Sequence, residues 1–338
     1  MILSHSPVSE TFRERIEAAL AGAYGIQVEA LDRLHAGTAT DNLQVRATDG
    51  QEWFVKLHAT HSELDAAGEA IALAEFVRGG GVPVPMLRRT LEGDPLAQDS
   101  AGGLSVWEFL GDARTAESGI HGAATAIGTA IGRMHELLSR HPAARPRLRP
   151  ARDVIDLPAA LDRCDQLLGT YRNERLEDPD QLWALEALAR RREVLPEIAE
   201  ALAGLPALTT QVVHGDLAAP NVLLRGDEFA AVIDFQPPSS GYVSWEVARI
   251  AYDPRTVVSD PSWQEAAGEL LEAYRHANPL MRADDLHSAL VVGAAYVLAS
   301  TYPLVTILSE PEQADDTLRR YGRARHDAAL AMLERVRA

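Results

Sequence analysis

Apolar residues recur at helical spacing from Phe12 through Ile16, Ala19, Leu20 and Ala23, which predicts a surface helix over residues 8–24. The pattern then shortens. Strands are expected near 28–36, 42–47 and 52–58, with Asp49-Gly50 as the hairpin signal between the last two. Leu64, Ala67, Ile71, Ala74 and Phe76 to Val77 restore the helical period over 63–78, and Gly79-Gly80-Gly81 ends it. Val82-Pro83-Val84-Pro85 reads as extended and Leu104 to Leu110 as another strand. After about residue 111 helical patterns dominate, at 119–139, 158–170, 181–203, 245–252, 262–276, 284–302 and 313–337. A short strand-rich segment, 209–235, interrupts them. The expectation is an α+β chain of two lobes with a cleft between them: β-rich residues 1–110 and mainly helical residues 111–338. Residues 140–152, rich in Arg and Pro, read as an exposed connector.

Composition narrows the partners. The 338 residues allow a sizeable core, and a net charge of −17 argues against nucleic acid, which needs a basic footprint. The same charge suits a cationic small molecule, or simply solubility. Cys164 is the only cysteine, so no internal disulfide is expected. The first seven residues show neither a charged nor an apolar signal region, and the cytoplasm is the expected compartment. Ser288 to Ser309 carries no charge and nears the length of a membrane span. Pro303 interrupts it and its flanks are acidic, so a pair of buried helical segments is expected and no membrane. The oligomeric state is left open.

The chemistry concentrates in His214-Gly215-Asp216-Leu217-Ala218-Ala219-Pro220-Asn221 and in Val232-Ile233-Asp234-Phe235. Apolar runs at Val212-Val213, Val222 to Leu224 and Ala231 to Ile233 set the octet in a loop between short strands and deliver Asp234 at a strand end. Phosphoryl transfer needs positioning and charge neutralisation more than covalent chemistry. Asp234 and the Asn221 amide oxygen are the oxygen donors a hard divalent cation prefers. Asp216 is the candidate general base for an attacking hydroxyl. His214 is expected to buttress the loop, and Pro220 to stiffen the approach to Asn221. Lys56, in the alternating strand Trp53-Phe54-Val55-Lys56-Leu57, is the only lysine; the other 31 Lys/Arg positions are arginine. A compact ammonium there suits nucleotide phosphates. Glu69 on the next helix is a candidate partner for it, with Glu63 and Glu75 as rivals. Gly37, Thr38 and Thr40 in the loop between the first two strands could cover a triphosphate.

These residues together resemble the aminoglycoside phosphotransferase and choline kinase group of the protein-kinase-like superfamily. The resemblance spans roughly residues 30–250. It rests on Val213-His214-Gly215-Asp216 through Asn221, on Ile233-Asp234-Phe235, on Lys56, and on Glu69 to Pro85. It implies a bilobal fold with a small antiparallel-sheet N-lobe and a mainly helical C-lobe that carries the acceptor pocket. It implies Asp216 as catalytic base, Asn221 and Asp234 as Mg2+ ligands, and Lys56 with Glu69 as the phosphate-holding ion pair. Trp107 to Leu110 resembles the hinge, where backbone groups of Glu108 and Leu110 meet the purine of ATP or GTP. Phe235 is followed by Gln236-Pro237-Pro238 and no activation segment is evident, which disfavours a protein substrate. Glu246 stands where relatives often carry an aspartate.

The expected activity is therefore ATP-dependent transfer of phosphate to a hydroxyl of a small molecule. A cationic, aminoglycoside-like antibiotic is the first acceptor class, and a metabolite of the homoserine, amino-alcohol or thiosugar type the second. A nucleotide-binding pseudokinase is the alternative of another class. A metal-dependent hydrolase would need closely spaced His or carboxylate ligands, such as His-Glu-x-x-His, which the chain lacks.

Overall fold

The computed structural model describes residues 9–34, 42–99, 102–172 and 174–338. Two units emerge: Met1–Arg114 with Asn221–Pro238, and Thr115–Pro220 with Ser239–Ala338.

The first unit is built on an antiparallel sheet in the order Val28–Leu34, Asn42–Ala47, Glu52–His58, Gly102–Glu108, Leu87–Arg88, with Ala97–Asp99 also paired to Gly102–Glu108. Alternation explains its core. Leu43, Val45, Trp53, Val55, Leu104 and Val106 fall on one face, against Ile16, Leu20 and Tyr24 from the N-terminal helical segment. The Tyr24 hydroxyl donates to the Leu104 carbonyl at 3.0 Å and accepts from the Ala97 amide at 3.1 Å, which fixes that segment to the sheet. Burial pushes the Tyr24 phenol up to about 12, against the smaller opposing effect of the Ala97 amide. The helix His61–Gly79 starts where Thr60 Oγ1 accepts the Glu63 amide at 3.3 Å and Glu63 Oε2 accepts the Ala59 amide at 2.7 Å. It stops at the glycine run, where Gly81 takes a φ of 88°.

The hairpin Val222–Arg225/Glu228–Val232 belongs with this first unit, not with the helical remainder as expected. Long-range bonds explain it. The Val232 amide donates to the Pro83 carbonyl at 3.1 Å, and Arg225 Nε reaches Asp112 Oδ2 at 2.7 Å.

The second unit is mainly helical, around a three-stranded sheet in which Leu208–Val213 lies between Arg147–Arg149 and Ser239–Tyr242. Arg147–Arg149 corrects the expected connector at 140–152. Its three residues are exposed, so the edge strand leaves no apolar alternation to read. The expected helix at 284–302 is two, Ala283–His287 and Ala289–Ala299, and Pro254–Ser259 forms a helix that was not anticipated. The apolar stretch folds as Ala289–Ala299 and Leu304–Ser309, separated around Pro303. By length and composition it would pass for a membrane span, yet over half of its most apolar window is buried inside the protein.

The helices Ala124–Leu138 and Trp263–Ala277 approach closely enough that a Cβ on Gly128 would stand 2.2 Å from the Leu270 carbonyl oxygen. Backbone cannot yield as a side chain can. Gly128→Ala is expected to lower stability by roughly 1–3 kcal/mol, read by chemical denaturation, and an unchanged midpoint would contradict this packing.

Candidate active site

In the first unit, strand Glu52–His58 carries Lys56 and strand Glu228–Val232 ends two residues before Asp234. Lys56 Nζ stands 2.5 Å from Asp234 Oδ1. Asp234 has a φ of 65°, the only positive value for a residue other than glycine among the described residues. Backbone held in this left-handed region costs energy and is found where a side chain must be aimed. Asn221 lies at the same end of the hairpin. Its carbonyl accepts the Ile233 amide at 3.0 Å, and Val222 pairs with Val232. Asn221 is buried and Asp234 is partly exposed. One amide oxygen and one carboxylate, beside an ammonium, form a donor set that fits a hard divalent cation sharing its shell with phosphate oxygens.

The expected pairing of Lys56 with Glu69 is not the one formed. Glu69 is exposed, while the ammonium is held by Asp234. The rivals are engaged elsewhere: Glu63 in the helix cap, and Glu75 with Arg89 at 2.6 Å. At the segment resembling a hinge, the Glu108 amide donates to the Met86 carbonyl at 2.8 Å, Glu108 Oε2 accepts the Met86 amide at 3.2 Å, and the Leu110 carbonyl accepts from Ala113 at 3.1 Å. Gly37, Thr38 and Thr40 lie outside the described residues.

In the second unit, strand Leu208–Val213 leads into the loop that carries His214 and Asp216. His214 is fully buried, and its Nδ1 accepts the Asp216 amide at 3.2 Å. Glu246, on the helix Val243–Ala251, does more. Its Oε2 accepts the His214 amide at 2.8 Å, its Oε1 accepts the Gly215 amide at 2.7 Å, and His135 Nε2 lies 3.1 Å from Oε2. The far side of His135 meets the Tyr274 hydroxyl at 2.9 Å. Burial alone would push the Glu246 carboxyl up; the His135 bond, the charges of both histidines and the loop amide outweigh it and hold it below its ordinary value. One turn further, Arg249 Nη2 donates to Asp216 Oδ1 at 2.8 Å and fixes the carboxylate. Its guanidinium lies over the rings of Trp245 and Tyr296. Beside it opens a pocket lined in part by Ala218, Arg249, Tyr252, Tyr296, Tyr321 and Arg325.

The sequence profile of the APH phosphotransferase enzyme family matches residues 31–287. The chain belongs to this family. The family is one of phosphotransferase enzymes. Homoserine kinase of Pseudomonas aeruginosa is 29% identical over 218 residues, which cover 64% of this APH-family chain and 63% of that protein. The match thus takes in less than two thirds of the curated relative's length. Among solved structures, a spectinomycin phosphotransferase in complex with ADP and spectinomycin aligns with a TM-score of 0.64 at 14% identity, covering 97% of this chain and 100% of that one. An aminoglycoside phosphotransferase from Alicyclobacillus acidocaldarius gives 0.61 at 14%, covering 99% and 97%. A choline/ethanolamine kinase family protein from Mesorhizobium loti gives 0.54 at 20%, covering 95% of each. These likenesses show the fold, which is the α+β protein-kinase-like one expected, with an antiparallel-sheet N-terminal region and a largely helical remainder.

Sequence reading missed Arg249 as partner of Asp216 in this APH-family site, and it singled out Glu246 while leaving open whether it is structural or acceptor-binding; the structure has it hold the loop. Their shared signal was Trp245-Glu246-Val247-Ala248-Arg249, where two charges three apart stand in an otherwise apolar helix.

Proposed function

We propose that this APH-family enzyme moves the terminal phosphoryl group of ATP, as its Mg2+ complex, onto the hydroxyl of a small metabolite in the cytoplasm. One observation carries the nucleotide half of the reading: the Lys56 ammonium stands 2.5 Å from Asp234, with the Asn221 oxygen donor at the same end of the hairpin. Asn221 and Asp234 would hold the cation, which spreads the negative charge of the phosphate oxygens when bound. Lys56 would steady those oxygens. The backbone at Glu108 and Leu110 would meet the purine. Asp216 accepts the hydroxyl proton as the oxygen attacks. His214, Glu246 and Arg249 keep Asp216 in place.

Of the two acceptor classes, the pocket beside Arg249 favours the metabolite over a polycationic antibiotic, because two guanidinium groups, Arg249 and Arg325, line it against one carboxylate, Asp253. The pseudokinase reading has against it that Lys56, Asp216, Asn221 and Asp234 are all present. The test is nucleotide consumption across a panel of hydroxyl compounds with Mg2+, alongside nucleotide binding. Asp234→Asn is expected to weaken Mg2+-dependent ATP binding by about tenfold or more. Equal affinity in the variant, or no acceptor-stimulated turnover in the wild type, would refute the assignment.

A further inference from the structure

Behind Glu246 the chain of polar contacts runs on into the helical core. The Gly215 and His214 amides take Glu246 Oε1 and Oε2 from the loop side, at 2.7 and 2.8 Å. From the core side His135 Nε2 faces Oε2 at 3.1 Å, and His135 Nδ1 faces the Tyr274 hydroxyl at 2.9 Å. Asn278 Nδ2 donates to the same hydroxyl oxygen at 3.3 Å. His135, Glu246 and Tyr274 are all fully buried. Polar groups sealed from water keep the partners the fold gives them, so these contacts are fixed in the folded protein.

Close helix packing brings the groups together. His135 stands on Ala124–Leu138 and Tyr274 on Trp263–Ala277. A Cβ on Gly132, about one turn before His135, would stand 2.7 Å from the Tyr274 carbonyl oxygen and 2.9 Å from the Ala277 Cβ, so a glycine is what admits the Tyr274 backbone. The His135 carbonyl accepts Gln211 Nε2 at 2.7 Å, which ties the end of its helix to the strand leading into the Asp216 loop. The direction of the contacts follows from the donors. A carboxylate only accepts, and the Glu246 carboxyl is held below its ordinary value against its burial by the His135 bond, so Nε2 carries a proton and donates it. The Tyr274 hydroxyl braces Nδ1 whatever the charge of the ring, because it donates to a bare nitrogen and accepts from a protonated one. Burial pushes the Tyr274 phenol up, so it keeps its proton.

We propose that His135 is a further positioning residue for phosphoryl transfer: its Nε2–H, braced by Tyr274, sets the Glu246 carboxylate against the His214 and Gly215 amides and thereby sets where Asp216 stands. The inference rests on the reading of Asp216 as base given above. The ring is sealed away from solvent and so from nucleotide and acceptor, and its effect runs through Glu246. With the two loop amides alone, the carboxylate is held from one side and can swing about its own side-chain bonds. The donor from behind closes that freedom. A base misplaced by a fraction of an ångström loses rate, while the binding of either substrate is untouched.

The test uses two amides that place a nitrogen differently. The side-chain nitrogen of glutamine lies as many bonds from the backbone as His135 Nε2, and that of asparagine as many as Nδ1. With whichever hydroxyl compound of the panel above turns over fastest, His135→Asn is expected to lower kcat by about 10- to 100-fold, with KM for ATP and for the acceptor close to wild type. His135→Gln, which restores a donor toward Glu246, is expected to recover most of that rate. Tyr274→Phe keeps the donor and loses its brace, and is expected to fall between the wild type and His135→Asn, again in kcat. Each variant is assayed well below its measured melting temperature. A structural role alone would lower the melting temperatures of the Asn and Gln variants without separating their kcat. Equal kcat in those two variants, or a loss expressed in KM, overturns the inference. NMR of isotope-labelled histidine side chains in the wild type gives a readout that requires no variant to fold. A proton on His135 Nε2 is expected, and a ring protonated on Nδ1 alone overturns the inference. Asp216→Asn turning over at the wild-type rate would sink the base reading and this inference with it, whereas the other outcomes leave that reading intact.

Discussion

Asp216→Ala is expected to lower kcat by a factor of about 10² to 10⁴ while leaving ATP affinity close to that of the wild type. The carboxylate is the only acid that the loop after strand Leu208–Val213 presents, and it is held from two sides. His214 Nδ1 accepts its backbone amide and Arg249 takes one of its oxygens at 2.8 Å. Alanine removes the base and also leaves the Arg249 guanidinium without its acid. Asp216→Asn separates the two effects, because the amide oxygen still accepts from Arg249 but cannot take a proton. Both variants are expected to lose the rate, with steady-state kinetics and calorimetric nucleotide binding as the measurements. An Asp216→Asn enzyme turning over at the wild-type rate would end the assignment of Asp216 as base.

Glu246→Ala is expected to cost about 3–5 kcal/mol of stability, the range for removing one partner of a buried charged pair. The carboxylate is fully buried and serves three groups at once, the amides of His214 and Gly215 and the His135 ring. Without it three polar groups lose their partner away from water. Urea denaturation measures the loss, and a change below about 1 kcal/mol would contradict this account. The sign with pH follows from the lowered carboxyl. A carboxyl that binds its proton less readily when folded contributes stability above its ordinary value of 4.5, and that contribution is lost as pH falls through the lowered folded value. Glu246→Gln, which cannot titrate, is therefore expected to lose less stability than the wild type on acidification through that window.

Local signals carried the fold far. The alternation of Trp53, Val55 and Leu57, the hairpin glycine and the run Gly79-Gly80-Gly81 placed the first sheet and its helix, because short-range sterics and one-sided burial decide those elements. What escaped was set by distant partners. Arg147–Arg149 pairs with Leu208–Val213 while all its side chains face water. The hairpin after Asn221 joins the first unit through a backbone bond to Pro83, an ion pair to Asp112 and a bond from Arg114 to the Gly226 carbonyl, none of which leaves a periodic trace. At the site, residue types alone singled out Asp216, Asn221, Asp234 and Lys56, since metal and phosphate chemistry restricts the choice. The partner of Lys56 was not readable that way. Three acids stood within reach on one helix, and the structure gives the ammonium to a fourth, Asp234, 178 positions along the chain. Net charge and the lining of the pocket point different ways. A sum of −17 over the whole chain suggested a cationic acceptor, whereas the pocket beside Arg249 concentrates arginine. Short-range fields, not totals, decide what a pocket admits.

Glu246 and Arg249 leave the same helix three residues apart, one gripping the backbone on which Asp216 sits and the other its carboxylate. The aim of the Asp216 carboxylate is therefore inherited from the seat of Val243–Ala251, whose inner face packs through Val247 and Ile250. Substitutions under that helix would re-aim the chemistry without altering a single residue of the loop. Evolution of a new acceptor preference in this scaffold has a route through the hydrophobic core as well as through the pocket wall.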